Sequence, residues 1–124
     1  MNATVTPIQA SRHLLAVLAS SSSLDFAEML RTDAFLQIWS DSHRETYWSK
    51  GEVQQALLME AAAWPNSTIN IQSWDEDDDS ATVQFQIWVK EDGRIIEHDR
   101  SLTITLRDDQ IEMISLYRDE EYPN

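Results

Sequence analysis

His98 and Arg100 stand two residues apart in "RIIEHDRSLTITL", residues 94–106, and that spacing is where chemistry first shows in this chain. With the two-residue period of a strand, Ile96, His98, Arg100, Leu102, Ile104 and Leu106 share one face. Ile95, Glu97, Asp99, Ser101, Thr103 and Thr105 share the other. The first face is built for a core, yet it holds two groups that are costly to bury without partners. An imidazole transfers protons near neutral pH, and a guanidinium beside it can orient a carboxylate or steady an enolate. The competing reading is a buried ion-pair network with Glu112 or Asp41 as the acid. His98 and Arg100 are the candidate catalytic pair, although the sequence places no complete acid–base set around them.

Aromatic residues offer a second constellation. Trp39, Tyr47, Trp48, Trp64 and Tyr117 could line a site for a flat, apolar ligand, or pack at the ends of helices and strands. If "RETYW", residues 44–48, is extended, only one of Tyr47 and Trp48 faces inward. Trp88 alternates with Gln84 and Gln86, away from Phe85 and Ile87, and Trp74 is expected on the same outer side. Two tryptophans on one sheet face point to a contact surface, and a homodimer through it is expected.

Other chemistries find less support. "DEDDD", residues 75–79, lacks the glycine and distal glutamate of a calcium loop and reads as a solvated hairpin. His13, His43 and His98 have no paired spacing, there is no Cys, and no metal site is expected. Only Gly51 and Gly93 occur, so there is no glycine-rich phosphate loop, and no cofactor is expected.

The elements that must position these residues carry recognisable starts. "TPIQ" (Thr6 to Gln9), "DFAE" (Asp25 to Glu28) and "SKGE" (Ser49 to Glu52) resemble capping boxes. They predict helices over 7–20, 25–40 and 50–63. Strands are expected at 68–74, 81–89, 94–106 and 110–118, with "DEDDDS", "KEDG" and "RDD" as turns. The expected fold is α+β: three N-terminal helices packed on a strongly curved antiparallel sheet that forms a cone. Leu102, Ile104 and Leu106 would pack at depth, and His98 and Arg100 would line the open end. One domain spans 1–124, with 1–5 and 120–124 as flexible ends.

Composition narrows the partners. At 42% hydrophobic with five Trp, 124 residues can bury one core. A formal charge of −13 disfavours nucleic acid and anionic membrane. No apolar run reaches the roughly 18 residues of a membrane span, and the N-terminus lacks a basic region before its apolar part. A cytoplasmic, soluble protein is the expected class.

The order of elements over residues 24–119 resembles the nuclear transport factor 2-like superfamily, in its SnoaL-like branch. The resemblance rests on "LQIWSD", a short strand, "SKGEVQQALLMEAAAWPN", four strands, and the closing "DDQIEMISLYRD". It implies a cystatin-like α+β cone with a pocket between helices and sheet, commonly in a homodimer. Members include ketosteroid isomerase, polyketide cyclases, limonene epoxide hydrolase, scytalone dehydratase and binding modules, so fold does not decide function. The isomerase's oxyanion-stabilising acid falls on Leu102, which cannot donate, and its base falls near Asp41 or Glu45. The epoxide hydrolase's arginine and aspartate spacing falls on His98 and Arg100, where the acid is missing and Asp99 faces the other way. The resemblance therefore implies a pocket protein, or an isomerase, cyclase, dehydratase or hydrolase using His98. A third reading is an interaction module that works through its outer sheet.

Overall fold

The computed structural model describes residues 6–20, 27–40, 43–63 and 67–118. Helix α1 (Pro7–Ser20) starts as its sequence dictates. Gln9 N–H donates to Thr6 Oγ1 at 3.2 Å and Thr6 N–H donates to Gln9 Oε1 at 3.1 Å, a closed reciprocal cap ahead of Pro7. Ala10, Leu14, Leu15 and Leu18 form its buried stripe.

The second expected helix is instead a strand. Of residues 25–40, Ala27–Met29 form a single 3-10 turn and Leu30–Trp39 form β1, which makes two helices rather than three. The segment has apolar residues three and four apart, but it also alternates, and Ala34, Leu36 and Ile38 are the buried positions. Pairing decided the conflict. β2 (Arg44–Trp48) bonds one edge of β1 and β6 (Gln110–Arg118) the other, which satisfies the backbone on both sides.

Helix α2 (Lys50–Ala62) also begins differently from its expected box. Ser49 makes no side-chain cap; it sits at φ 80°, and its N–H donates to Ala34 O at 2.9 Å. That bond ties the start of α2 to β1, so the sheet, rather than a capping hydroxyl, sets where the helix begins.

β3 (Thr68–Glu76), β4 (Ser80–Glu91), β5 (Arg94–Arg107) and β6 follow as a meander. Asp92 and Gly93, then Asp108 and Asp109, have positive φ, as two-residue hairpin turns require. The six strands lie in the order β2-β1-β6-β5-β4-β3. The sheet is mixed, because β1 runs parallel to β6 while every other neighbouring pair is antiparallel. The first and last strands can lie parallel because the whole intervening chain serves as their crossover.

Both helices pack on one sheet face, α1 over β3, β4 and β5, and α2 over β1 and β2. Register gives that inner face in rows. Ile38, Leu116, Leu102, Val83 and Trp74 form one; Arg118, Arg100 and Phe85 form the next; His98 and Ile87 lie beyond. Leu102 and Ile104 are fully buried and Leu106 nearly so.

Trp74 thus lies on the inner face, opposite Val83 and under the Arg12 guanidinium, not on the outer face with Trp88. The cause is a register shift between Ile71 and Ser73, which turns every later residue of β3 over. None of the described helices is long and apolar enough to cross a membrane.

Candidate functional site

One corner of the inner face is polar, and three elements build it. Alternation along β6 buries Ile114, Leu116 and then Arg118. Alternation along β5 buries Leu102 and then Arg100, the cross-strand partner of Arg118. Helix α2 brings Glu60 down from above, on the same stripe as Val53, Ala56 and Leu57. Arg118 Nη1 donates to Glu60 Oε2 at 3.3 Å, with both side chains 3% exposed. Arg100 is equally buried, and its Nη1 donates to the carbonyl of Asp99 at 3.1 Å. His98 is half-buried one step further along β5, opposite Ile87. Ser40, one residue past the Trp39–Tyr117 pair, is buried at the same end of β1.

β2 supplies the flank. Tyr47 pairs with Leu36 and faces inward, whereas Trp48 pairs with Phe35 and faces out, 61% exposed, with its ring 5.0 Å from that of Phe35. Register therefore decides which of the two neighbours points into the molecule, and it is Tyr47. The Tyr47 hydroxyl donates to Glu45 Oε2, and Glu45 Oε1 lies 3.2 Å from Nε2 of the exposed His43.

Electrostatics divides these groups. Burial raises the pKa of the Glu60 carboxyl, while Arg118 and then Arg100 pull it back down. The Tyr47 hydroxyl is pushed up to about 12, first by its hydrogen bond to Glu45 and then by burial. Tyr47 thus stays a neutral donor, and burial makes Glu60 hold its proton more readily than an exposed carboxyl does. The corner can meet a ligand acceptor with guanidinium, imidazole and phenol donors, and a ligand donor with a carboxylate.

The remaining expected site residues lie elsewhere. Trp39 and Tyr117 occupy the outer face, their rings 4.8 Å apart and edge-on, with Trp39 Nε1 donating to Ser115 Oγ at 2.9 Å. The lining expected around His98 and Arg100 therefore splits across two faces, and among the described residues only Tyr47 of those aromatics accompanies the charged pair. Trp88 is on the outer face too, half-buried, donating to Gln86 Oε1 at 3.0 Å. Trp64 and Asp41 lie outside the described residues, as do the expected flexible ends 1–5 and 120–124. So do the segments that follow Ser40, Ala63 and Arg118.

Two open grooves occur among the described residues, and neither touches the charged corner. One of about 410 Å³ runs between α1 and β3, past Arg12, Leu15 and Ile71. The other, of about 460 Å³, lies on the outer face between Trp39, Gln84, Ser101 and Tyr117. Neither holds a buried charged side chain, so the corner, not a groove, is the candidate site.

Glu60 and Arg118 are absent from the residues the sequence singled out. Both had a signal: Glu60 falls seven residues after Val53 on the core stripe, and Arg118 falls two after Leu116 on the core face. Opposite charges at two buried phases were the clue to a partnership.

No known family model matches the chain, and no curated protein does. Solved structures do. An NTF2-like protein of unknown function from Mesorhizobium loti is 11% identical over 97% of this chain and 96% of its own, at a TM-score of 0.76. A protein with a ketosteroid isomerase-like fold from Catenulispora acidiphila, solved with trimethylamine, is 12% identical over 95% and 90%, at 0.71. A protein described as a SnoaL-like polyketide cyclase from Jannaschia sp. CCS1 is 14% identical over 96% and 91%, at 0.67. The chain has the nuclear transport factor 2-like fold, and its described residues form two α-helices on a six-stranded mixed sheet.

Proposed function

We propose that this chain binds a small molecule at the inner-face corner, with an apolar body and a polar or anionic group set against His98 and Arg100. Tyr47 supplies a further hydrogen bond, and the buried Phe85 and Ile87, the cross-strand neighbours of Arg100 and His98, back the pair with the apolar core. The observation that carries this reading is the burial of Glu60, Arg100 and Arg118 together in an otherwise apolar layer. An ion pair so buried is commonly no more stable than a well-packed apolar substitute, so stability alone is a weak reason to have it. Proteins of like fold include one solved with trimethylamine and one described as a polyketide cyclase, which supports small-molecule use of the fold.

The raised pKa of Glu60 favours one second reading, in which the site also moves protons. There His98 acts as acid or base and Arg100 stabilises developing negative charge, in an isomerase, cyclase, dehydratase or hydrolase. Thermal-shift screening of the wild type against His98→Ala and Arg100→Ala tests the binding reading. Ligands that raise Tm saturably should lose that effect in both variants. Ligands that stabilise all three proteins equally would place binding elsewhere.

A homodimer through the outer sheet face accompanies this reading. Trp48 and Trp39, 61% and 41% exposed, stand with Trp88 on that face of an otherwise strongly acidic protein. Trp74 is not part of it, because its ring is on the helix side.

A further inference from the structure

In the charged corner, Glu60 Oε1 and Ser40 Oγ are buried and make no hydrogen bond among the described residues. Glu60 is 3% exposed, and its other oxygen is taken by Arg118. Ser40 is 8% exposed and directly follows Trp39, whose partner across the strands is Tyr117, the residue before Arg118. A buried acceptor left unsatisfied is costly, more so when it carries charge. Both atoms lie at the end of the inner face where the Arg100 and Arg118 guanidiniums are also buried.

We propose that Glu60 Oε1 is the acceptor that reads a donor on the ligand, so that the ligand's polar head carries an N–H or O–H next to a carbonyl oxygen. The class is that of primary amides, hydroxamic acids and α-hydroxy carbonyl compounds, not simple carboxylates. The head's donor meets Glu60 Oε1, and its carbonyl oxygen meets the Arg100 side of the corner. Ser40 Oγ, which can donate or accept, completes the ring of contacts. This assignment rests on the binding reading above and narrows it.

Charge explains the choice. Arg118 and then Arg100 pull the Glu60 carboxyl toward its charged form, so Oε1 is an acceptor of anionic character. A carboxylate head would bring a second anionic oxygen against Glu60 Oε1. A neutral donor–acceptor head satisfies both signs without adding charge. Sites built around a hydrogen-bonding group discriminate strongly against analogues that lack it, because the buried partner is then stranded again.

The test uses three probes of one size and body: phenylacetamide, phenylacetate and phenylacetone, titrated by calorimetry into the wild-type chain and into Glu60→Gln and Ser40→Ala. The amide should bind at least tenfold more tightly than the ketone and than the carboxylate. Glu60→Gln, which replaces one acceptor oxygen by a donor, should abolish that preference. Ser40→Ala, a smaller change that spares the ion pair, should reduce amide affinity several-fold and keeps the proposal testable if Glu60→Gln folds poorly. Equal affinity for amide and ketone, or tightest binding of phenylacetate, would overturn the donor-reading role and leave the binding site standing. Binding of none of the three would overturn the site along with its chemistry.

Discussion

Removing Glu60 and removing Arg118 should have unequal costs, and the inequality follows from which group can shed its charge. Glu60→Leu leaves the Arg118 guanidinium charged at any accessible pH, 2% exposed, without its carboxylate. Breaking a buried pair in this way costs about 3–5 kcal/mol. Arg118→Met leaves a carboxyl whose pKa burial already raises, and which can take up a proton and become neutral. Its cost is that of a buried polar group, about 1–3 kcal/mol. Independent losses would sum to about 4–8 kcal/mol in the double variant, much of the 5–15 kcal/mol total expected of a domain this size.

The account predicts the opposite of a sum. Glu60→Leu/Arg118→Met removes both charges and fills the space with side chains of similar length. It should regain at least half of what Glu60→Leu alone loses. Full recovery is not expected, since Arg100 also loses the attraction of Glu60. Urea unfolding of all four proteins at pH 7, with slopes compared before midpoints are interpreted, measures this directly. A double variant as unstable as the sum of the singles would refute the reasoning. It would mean that Glu60 and Arg118 act separately and that the corner is ordinary packing.

Three further outcomes are expected. Because the folded-state pKa of Glu60 is raised, its stabilising contribution is complete below the ordinary carboxylate range and is lost as pH rises through the folded value. Glu60→Gln should therefore gain stability relative to the wild type as pH rises above the ordinary carboxylate range, by about 1.4 kcal/mol for each tenfold change in proton affinity. A difference that stays constant with pH, read from paired urea titrations, would contradict the burial of a titrating carboxyl. Leu57→Ala, at a fully buried contact of α2, should cost about 2–5 kcal/mol in the same assay, and a loss below 1 kcal/mol would mean α2 is not seated on the sheet. Trp88→Arg should convert a dimer to a monomer in sedimentation velocity without shifting Tm in a dilute monomeric sample, and an unchanged sedimentation coefficient would remove the outer face from assembly.

How much of this was legible in the sequence varies by element. The β4–β5–β6 meander was, because alternation, Asp-Gly and the Asp pair specify strand, turn and register locally. The inward placement of Arg100 followed from the same alternation. Leu30–Trp39 was not legible: its apolar residues satisfy a helical and a strand period at once, and the β6 partners that settle the matter lie about eighty residues away. Trp74 was misplaced because one bulge inverts the faces of β3, and bulges leave little trace in sequence. Glu60 and Arg118 each stood at a core phase, but their meeting depends on how α2 crosses the sheet, which no local pattern encodes. The split of Trp39 and Tyr117 from Tyr47 has the same origin, since Trp39 was assigned to a helix and the last strand's register was open.

Location of a bound probe tests the central claim most directly. Nitrogen-15 NMR spectra of the chain titrated with phenylacetamide should show saturable shifts at the Nε–Hε signals of Arg100 and Arg118 and at the backbone amides of His98, Ser40 and Tyr47. Shifts confined to the Trp39 indole, Ser101 and Tyr117 on the outer face, or no saturable shift at all, would contradict a ligand site at the inner corner.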